Sequence, residues 1–211
     1  MSYIGSKPAN KPVVASDLDS TVITGQTALT SEPADTDEFL ISDAGVLKRL
    51  DASLIGGGKV LQVLQVTKTD TFTSTATSFG DISGLSLAIT PSATSSKILI
   101  NISVPFSCNA ARAHFNLVKG STNIIVGDAS SSRIRTTFSG YADSTSGTAY
   151  YGMGMFSYSY LDSPSTTSET TYKIQTRVNA GTMFINRSIP DNDNSESGRS
   201  ASTIILMEIG A

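Results

Sequence analysis

Residues 97–108, KILINISVPFSC, alternate between apolar and polar positions. Ile98, Ile100, Ile102, Val104, Phe106 and Cys108 take every second place, and Lys97, Asn101, Ser103 and Ser107 fall between them. A period of two over this length predicts a β-strand with one dry face and one wetter face. On a helix the same apolar groups would scatter around the circumference. Pro105 falls on the wetter face and removes one ladder donor, so a sheet edge, a bulge or a bend is expected there.

The same reading extends through residues 59–211. Residues 60–67 are apolar on both faces, which predicts a central strand or one at an interface. Residues 84–90, with Leu85, Leu87 and Ile89, form a further strand stopped by Pro91. Residues 114–119 and 122–126 pair across a turn containing Gly120. Residues 149–160 place Tyr150, Phe156, Tyr158 and Tyr160 on one face and Tyr151, Met153 and Met155 on the other. Residues 171–178 and 182–186 read as a hairpin around Asn179, Ala180 and Gly181. Residues 203–209, apolar on both faces, close the pattern and suit a place beside the first strand near a subunit interface. About eight strands at roughly ten-residue spacing, with Ser, Thr, Gly and Asn turns, predict an all-β domain, a jelly-roll-like β-sandwich. A domain of this size buries roughly 70% of its unfolded surface and can stand alone.

The preceding residues differ. Residues 1–16 contain Pro8 and Pro12 and few large apolar groups, so they read as an extended anchoring arm. Tyr3, Ile4, Pro8, Pro12 and Val13 are its candidate docking residues. Residues 17–55 form a small oligomerising module. Within it 38–42 and 46–50 read as a hairpin, with Phe39, Ile41, Val46 and Leu50 facing inward, followed by a short helical turn capped by Asp51. So small a unit cannot offset a chain entropy of roughly 1.5 kcal/mol per ordered residue, and it should need copies of itself or a larger particle to fold. Residues 56–58, three glycines, are a hinge.

Charge and composition narrow the function. The net charge is −3, without the clustered Lys and Arg that nucleic acid demands. Charged residues make up 16%, against roughly 25% in ordinary soluble domains. Ser, Thr, Gly and Asn take their place, as is common in β-rich and virion proteins. Residues 1–14 lack the apolar core of a secretory leader, and no run approaches the ~18 residues of a membrane span. Synthesis in a host cytoplasm and no membrane insertion are expected. Asn101-Ile102-Ser103 and Asn186-Arg187-Ser188 match the glycosylation pattern only by chance in that setting.

Catalytic and metal motifs are sparse. There is one cysteine, Cys108, on the apolar face of its strand, and one histidine, His114, between Ala113 and Phe115. One of each leaves no His/Cys metal set, and no G-x-S-x-G elbow accompanies the histidine. No phosphate-cradling loop occurs, because the triglycine run is not followed by Lys-Ser/Thr. Neither a cofactor nor a catalytic group is therefore expected. Asp191, Asn192, Asp193 and Asn194 open like a calcium loop, but the positions for Gly and Glu hold Glu196 and Ser202. An acidic surface loop is the plainer reading.

The aromatic strand and the polar loops supply the remaining candidates. Exposed aromatic rings stack on sugars, and loops held on a rigid sandwich carry recognition. Tyr150, Tyr151, Tyr158 and Tyr160, with Asp191, Asn192, Asp193 and Asn194, are the candidate contacts to a host surface glycan or protein. The loops at 128–132, 143–147 and 191–200 are of the same polar kind.

Three phrases carry a family resemblance: SYIGSKPANKP, TGQTALTSEPADTDEFLISDAGVLKRLD, and the stretch GGGKVLQVLQVTKTD continuing to ITPSATSSKILINISV. The closing STIILMEI supports them. Together they resemble tail-fibre and other virion-fibre proteins of bacteriophages, particularly of marine and cyanobacterial phages. The resemblance implies a non-enzymatic homotrimeric fibre on the virion, with an N-terminal segment docked on other virion proteins and a C-terminal β-sandwich head for host attachment. It implies no catalytic residue, and it lacks the coiled-coil or β-helical shaft of long fibres. A capsid decoration or head-fibre protein of the same architecture is the alternative. A glycan depolymerase would need carboxylates paired across a groove, and the acids here lie in loops.

Overall fold

The computed structural model describes residues 27, 34, 36–44, 46–54, 59–109, 112–141 and 151–210, with the backbone alone at 47 and 53. Tyr3, Ile4, Pro8, Pro12, Val13 and Tyr150, the glycines 56–58 and the loop 143–147 lie outside the described residues. The chain divides into two compact units, Met1–Gly56 and Gly57–Ala211.

In the first unit, β1 (Glu38–Asp43) and β2 (Val46–Asp51) form an antiparallel pair, followed by a 3-10 turn at Ala52–Leu54. Ala44 takes a left-handed φ of 51° in the connection. Phe39 lies opposite Leu50, Ile41 opposite Lys48 and Asp43 opposite Val46. Directly opposed residues share a face, so Phe39, Ile41, Val46 and Leu50 gather on one side. That side was expected to face inward. Instead Phe39 is 41% and Val46 58% exposed. Among the described residues of this unit, the two-stranded sheet has no second layer over either face.

The second unit holds eleven strands among its described residues. These are β3 (Val60–Lys68), β4 (Phe72–Ser74), β5 (Gly80–Ile89), β6 (Lys97–Asn109), β7 (Ala113–Lys119), β8 (Thr122–Ile125), β9 (Phe138–Gly140), β10 (Gly154–Asp162), β11 (Thr170–Val178), β12 (Thr182–Ile185) and β13 (Ser202–Ile209). One sheet runs β3-β13-β6-β12-β4, with β10 on the other flank of β6. The second runs β5-β11-β7-β8, with β9 also pairing β7. All pairs are antiparallel, and the two sheets stack into a jelly-roll-like β-sandwich. Val60, Lys97, Asp162 and Ile209 mark its near end, and Lys68, Asn109, Gly154 and Ser202 its far end.

Strand β6 organises the core. Ile98, Ile100, Ile102, Val104, Phe106 and Cys108 are all buried on its inner face. Pro105 lies inside the sheet rather than on an edge. β13 holds β6 from Lys97 to Ser103, β12 holds it from Phe106 to Asn109, and Pro105 falls in the gap between them. Its carbonyl accepts the Asn186 N–H at 3.1 Å on that same flank. The missing donor therefore costs nothing where the partner strand changes.

Between the sheets, Phe106 and Phe156 meet Phe115 and Phe138. Ring centroids are 5.1 Å apart for Phe106–Phe115 and for Phe115–Phe156, and 5.3 Å for Phe138–Phe156. Gly140 sits against this cluster. A Cβ there would lie 2.6 Å from Phe106 Cζ and 2.7 Å from Phe138 Cε1, so the rings close over a position that has room only for glycine.

Four other expectations change. Residues 171–178 and 182–186 are not a hairpin, since β11 pairs β5 and β7 while β12 pairs β4 and β6 in the opposite sheet. The link through Asn179 and Gly181 is an arch between layers. Strand β3 is not central, because among the described residues it pairs only β13. Strand β5 starts at Gly80, and its pairing with β11 slips at Gly84, which has a φ of 82°. That slip turns both Ile82 and Leu85 inward although they are three residues apart. The strand read over 149–160 begins at Gly154 and runs on to Asp162.

Candidate functional site

The far end gathers the polar loop predicted to meet a host surface. Asp191, Asn192, Asp193 and Asn194, with Ser197 and Arg199, line an open hollow of about 310 Å³. The Asn194 side-chain oxygen accepts the N–H groups of Glu196 at 3.0 Å and Ser197 at 2.9 Å, folding the loop on itself. Arg199 donates to Asp191 at 2.5 Å, so part of the acidic charge is neutralised within the loop. Among the described residues no three His, Cys, Asp or Glu side chains are grouped to hold a metal ion. The hollow is lined by polar side chains able to donate and accept hydrogen bonds.

The tyrosines separate. Tyr158 and Tyr160 share the inward face of β10 with Phe156, half-buried against the core. They lie towards the near end of that strand. Tyr151, also half-buried, lies by its far end, where Met153 Sδ is 3.7 Å from Ser200 Oγ of the polar loop. At about 3.4 Å per residue, Tyr160 is more than about 20 Å along the strand from Met153. Tyr151 is thus two residues from Met153, which meets the loop, and Tyr160 lies at the other end of the strand. Tyr141, just after β9 at the far end, is 63% exposed and carries no signal in the sequence. It follows a strand of three residues, too short to show a period.

Two polar groups fix the near end. Asp162 on β10 accepts Lys119 Nζ at 2.9 Å and the Tyr172 hydroxyl at 2.6 Å, both from the opposite sheet. Burial, followed by the hydrogen bond to Asp162, pushes the Tyr172 hydroxyl far above its ordinary value, so it stays a neutral donor. Glu208 on β13 is fully buried and accepts the Ser92 N–H at 2.7 Å, the Ser92 hydroxyl at 2.6 Å and Gln62 Nε2 at 2.5 Å. Burial alone would raise its pKa, but the hydrogen bonds from Ser92 and Gln62 outweigh it and bring it from 4.5 to about 2.

This lowered pKa sets an acid response. A carboxylate more acidic in the folded chain than in the unfolded chain stabilises the fold above its unfolded pKa. That contribution is lost as pH falls from about 4.5 towards 2. Urea unfolding followed from pH 7 to pH 3 should show a decline that Glu208→Gln flattens, with Glu208 accounting for about 2 kcal/mol of the loss by pH 3. An acid decline of equal slope in the Gln variant would disprove this role.

His114 meets Ser139, with its Nδ1 3.0 Å from the hydroxyl. A serine nucleophile needs a base that can become imidazolium, held by a carboxylate. Here burial, then the guanidinium groups of Arg177 and Arg112, push the histidine pKa down. The pair ties β7 to β9. Asn186 of the second glycosylation match is buried, with its amide donating to the Lys68 and Asp70 carbonyls at 2.8 and 2.9 Å. No described helix is long and apolar enough to cross a membrane.

No family model matches the chain, and no curated protein matches it in sequence. Among solved structures, the chain is similar to that of the infectious bursal disease virus Gx strain, at 10% identity and a TM-score of 0.39, over 79% of this chain and 41% of that one. It is also similar to the VP2 subviral particle of the same virus, at 12% identity and a TM-score of 0.36, over 79% of this chain and 42% of that one. The chain spans about two-fifths of the length of these viral structural chains. A fold likeness leaves function to be argued from the chain's own residues.

Proposed function

We propose that this chain is a non-enzymatic structural protein of a phage virion, a short homotrimeric fibre. Residues 1–16 dock on the particle, residues 17–55 hold the copies together, and residues 59–211 form a head that meets the host surface. The observation that carries this reading is the β1–β2 hairpin. It gathers Phe39, Ile41, Val46 and Leu50 on one face, with no covering layer among the described residues of its unit. Such a face stabilises a fold only when copies of it, or a larger particle, close over it. The resemblance of residues 2–12 and 24–51 to virion-fibre proteins agrees, and the polar loop hollow at the far end of the sandwich offers a contact surface.

The test is mass in solution, then location. Light scattering of the purified chain should give three copies per particle, and a folded monomer would overturn the reading. Antibodies against residues 59–211 should label the tail of intact virions. Labelling of the capsid would move the protein to a decoration or head-fibre role.

A further inference from the structure

The outer face of the first sheet is divided along its strands. Inward residues of β3, β13, β6 and β10 fill the core, and the alternate residues point away from it. At the near end the outward residues are apolar. Val63 is opposite Met207, Met207 is opposite Leu99, and Leu99 is opposite Leu161, one row across four strands. Val63 is 55% and Leu161 50% exposed, and Leu61 and Ile209 extend the band. Two rows further on, the same face is Thr67, Thr203, Ser103 and Ser157. On β3 and β13 the solvent side thus runs from apolar at the near end to hydroxylated at the far end, while on β10 Met155, 49% exposed and opposite Pro105, is apolar again beyond Ser157.

We infer that this near-end band is where the sandwich domains of separate copies of the chain pack against one another. The inference rests on the fibre reading and gives it a second contact. Three observations choose a copy of the chain as the occupant. First, the four-residue row carries no charge; the nearest one on this face, Lys97 opposite Ile209, stands at the border of the band, where it donates to Ser163 and can stay in water at the rim of an interface. Second, the band ends at β3, whose outer edge has no partner strand among the described residues. An exposed apolar edge strand invites unwanted pairing, and a defined neighbour protects it. Third, the band is small. Four strands at about 4.8 Å and two or three residues along each give a plan area on the order of 200 Å². A stable interface takes about 800 Å² per partner. The band alone would hold no partner, but the same chain also carries the apolar hairpin face. Two weak contacts joined covalently act at high effective concentration, provided the partner presents both. A second copy of this chain does so by construction.

The test uses the full chain. Sedimentation of the unaltered protein over a dilution series should show an oligomer, and Val63→Asp and, separately, Leu161→Asp should each raise its dissociation concentration about tenfold or more. Thr67→Asp, at the polar end of the same face, should leave it unchanged. Both near-end sites are half-exposed, so the charged variants should keep the circular dichroism of the parent. A variant-free measurement runs alongside: hydrogen exchange of the unaltered chain across its dissociation should speed up at 60–64 and not at 65–68. If the parent is oligomeric but neither the near-end variants nor exchange at 60–64 responds, the band is not an interface and the fibre reading stands. If the parent is a folded monomer at micromolar concentration, both fall.

Discussion

Phe115→Ala should lower the stability of the sandwich by about 3–5 kcal/mol, read as a drop in the midpoint of guanidinium unfolding at unchanged slope. Phe115 is fully buried on β7 and is the hub of the aromatic cluster. Its ring lies 5.1 Å from Phe106, 6.1 Å from Phe138 and 5.1 Å from Phe156, so it touches rings from both sheets. Truncation removes the transfer energy of the ring and leaves a cavity. Two stacked sheets pinned by their own ladders cannot collapse into that cavity as a helix might slide into one. Phe115→Leu, which keeps most of the volume, should cost much less. A loss below about 1.5 kcal/mol for the alanine variant would mean that the layers relax far more than close packing allows.

The long strand was legible because its two faces face different media. Selection for one dry face wrote a period of two into residues 97–108, and burial follows that period from Ile98 to Val104; from there to Cys108 both faces are covered, with Pro105 and Ser107 buried too. The same logic held for Phe156, Tyr158 and Tyr160. Sharing a face with Phe156 already placed the two tyrosines on the core side, which argues against a role in stacking on an external sugar. Other features left no local trace. Strands β4 and β9 are three residues each, shorter than any period can show. Asn179, Ala180 and Gly181 suit a hairpin and an arch equally, since turn chemistry fixes the bend and not the sheet that the next strand joins. Apolar residues on both faces of β3 mean either two buried faces or one buried and one uncovered, and composition cannot separate these. The loop at 191–194 was visible as polar, and its hollow is completed by Ser197 and Arg199. The tie joins Asp162 to Tyr172 ten residues on and to Lys119 43 residues before it, and it depends on β11 joining the sheet opposite β10, which no motif spacing announces.

That tie carries the second large effect. Asp162→Ala should cost about 3–5 kcal/mol, because it strands two donors rather than removing one contact. The carboxylate is buried and holds both Lys119 Nζ and the Tyr172 hydroxyl, which belong to the facing sheet. With it gone, the fully buried Tyr172 hydroxyl loses its acceptor, and the lysine, only 28% exposed, must reach for water or stay unpaired. Removing the partners as well separates the tie's net worth from the penalty of breaking it. The triple change Asp162→Leu, Lys119→Met and Tyr172→Phe should recover most of the loss, since a well-packed apolar replacement for a buried ion pair is often close to neutral. Thermal and denaturant unfolding of the single and triple variants checks both statements. If the triple variant is as unstable as the single one, the tie itself holds the sheets together. If the single variant is nearly as stable as the parent, water reaches the near end and Asp162 is not the buried clamp that its surroundings describe.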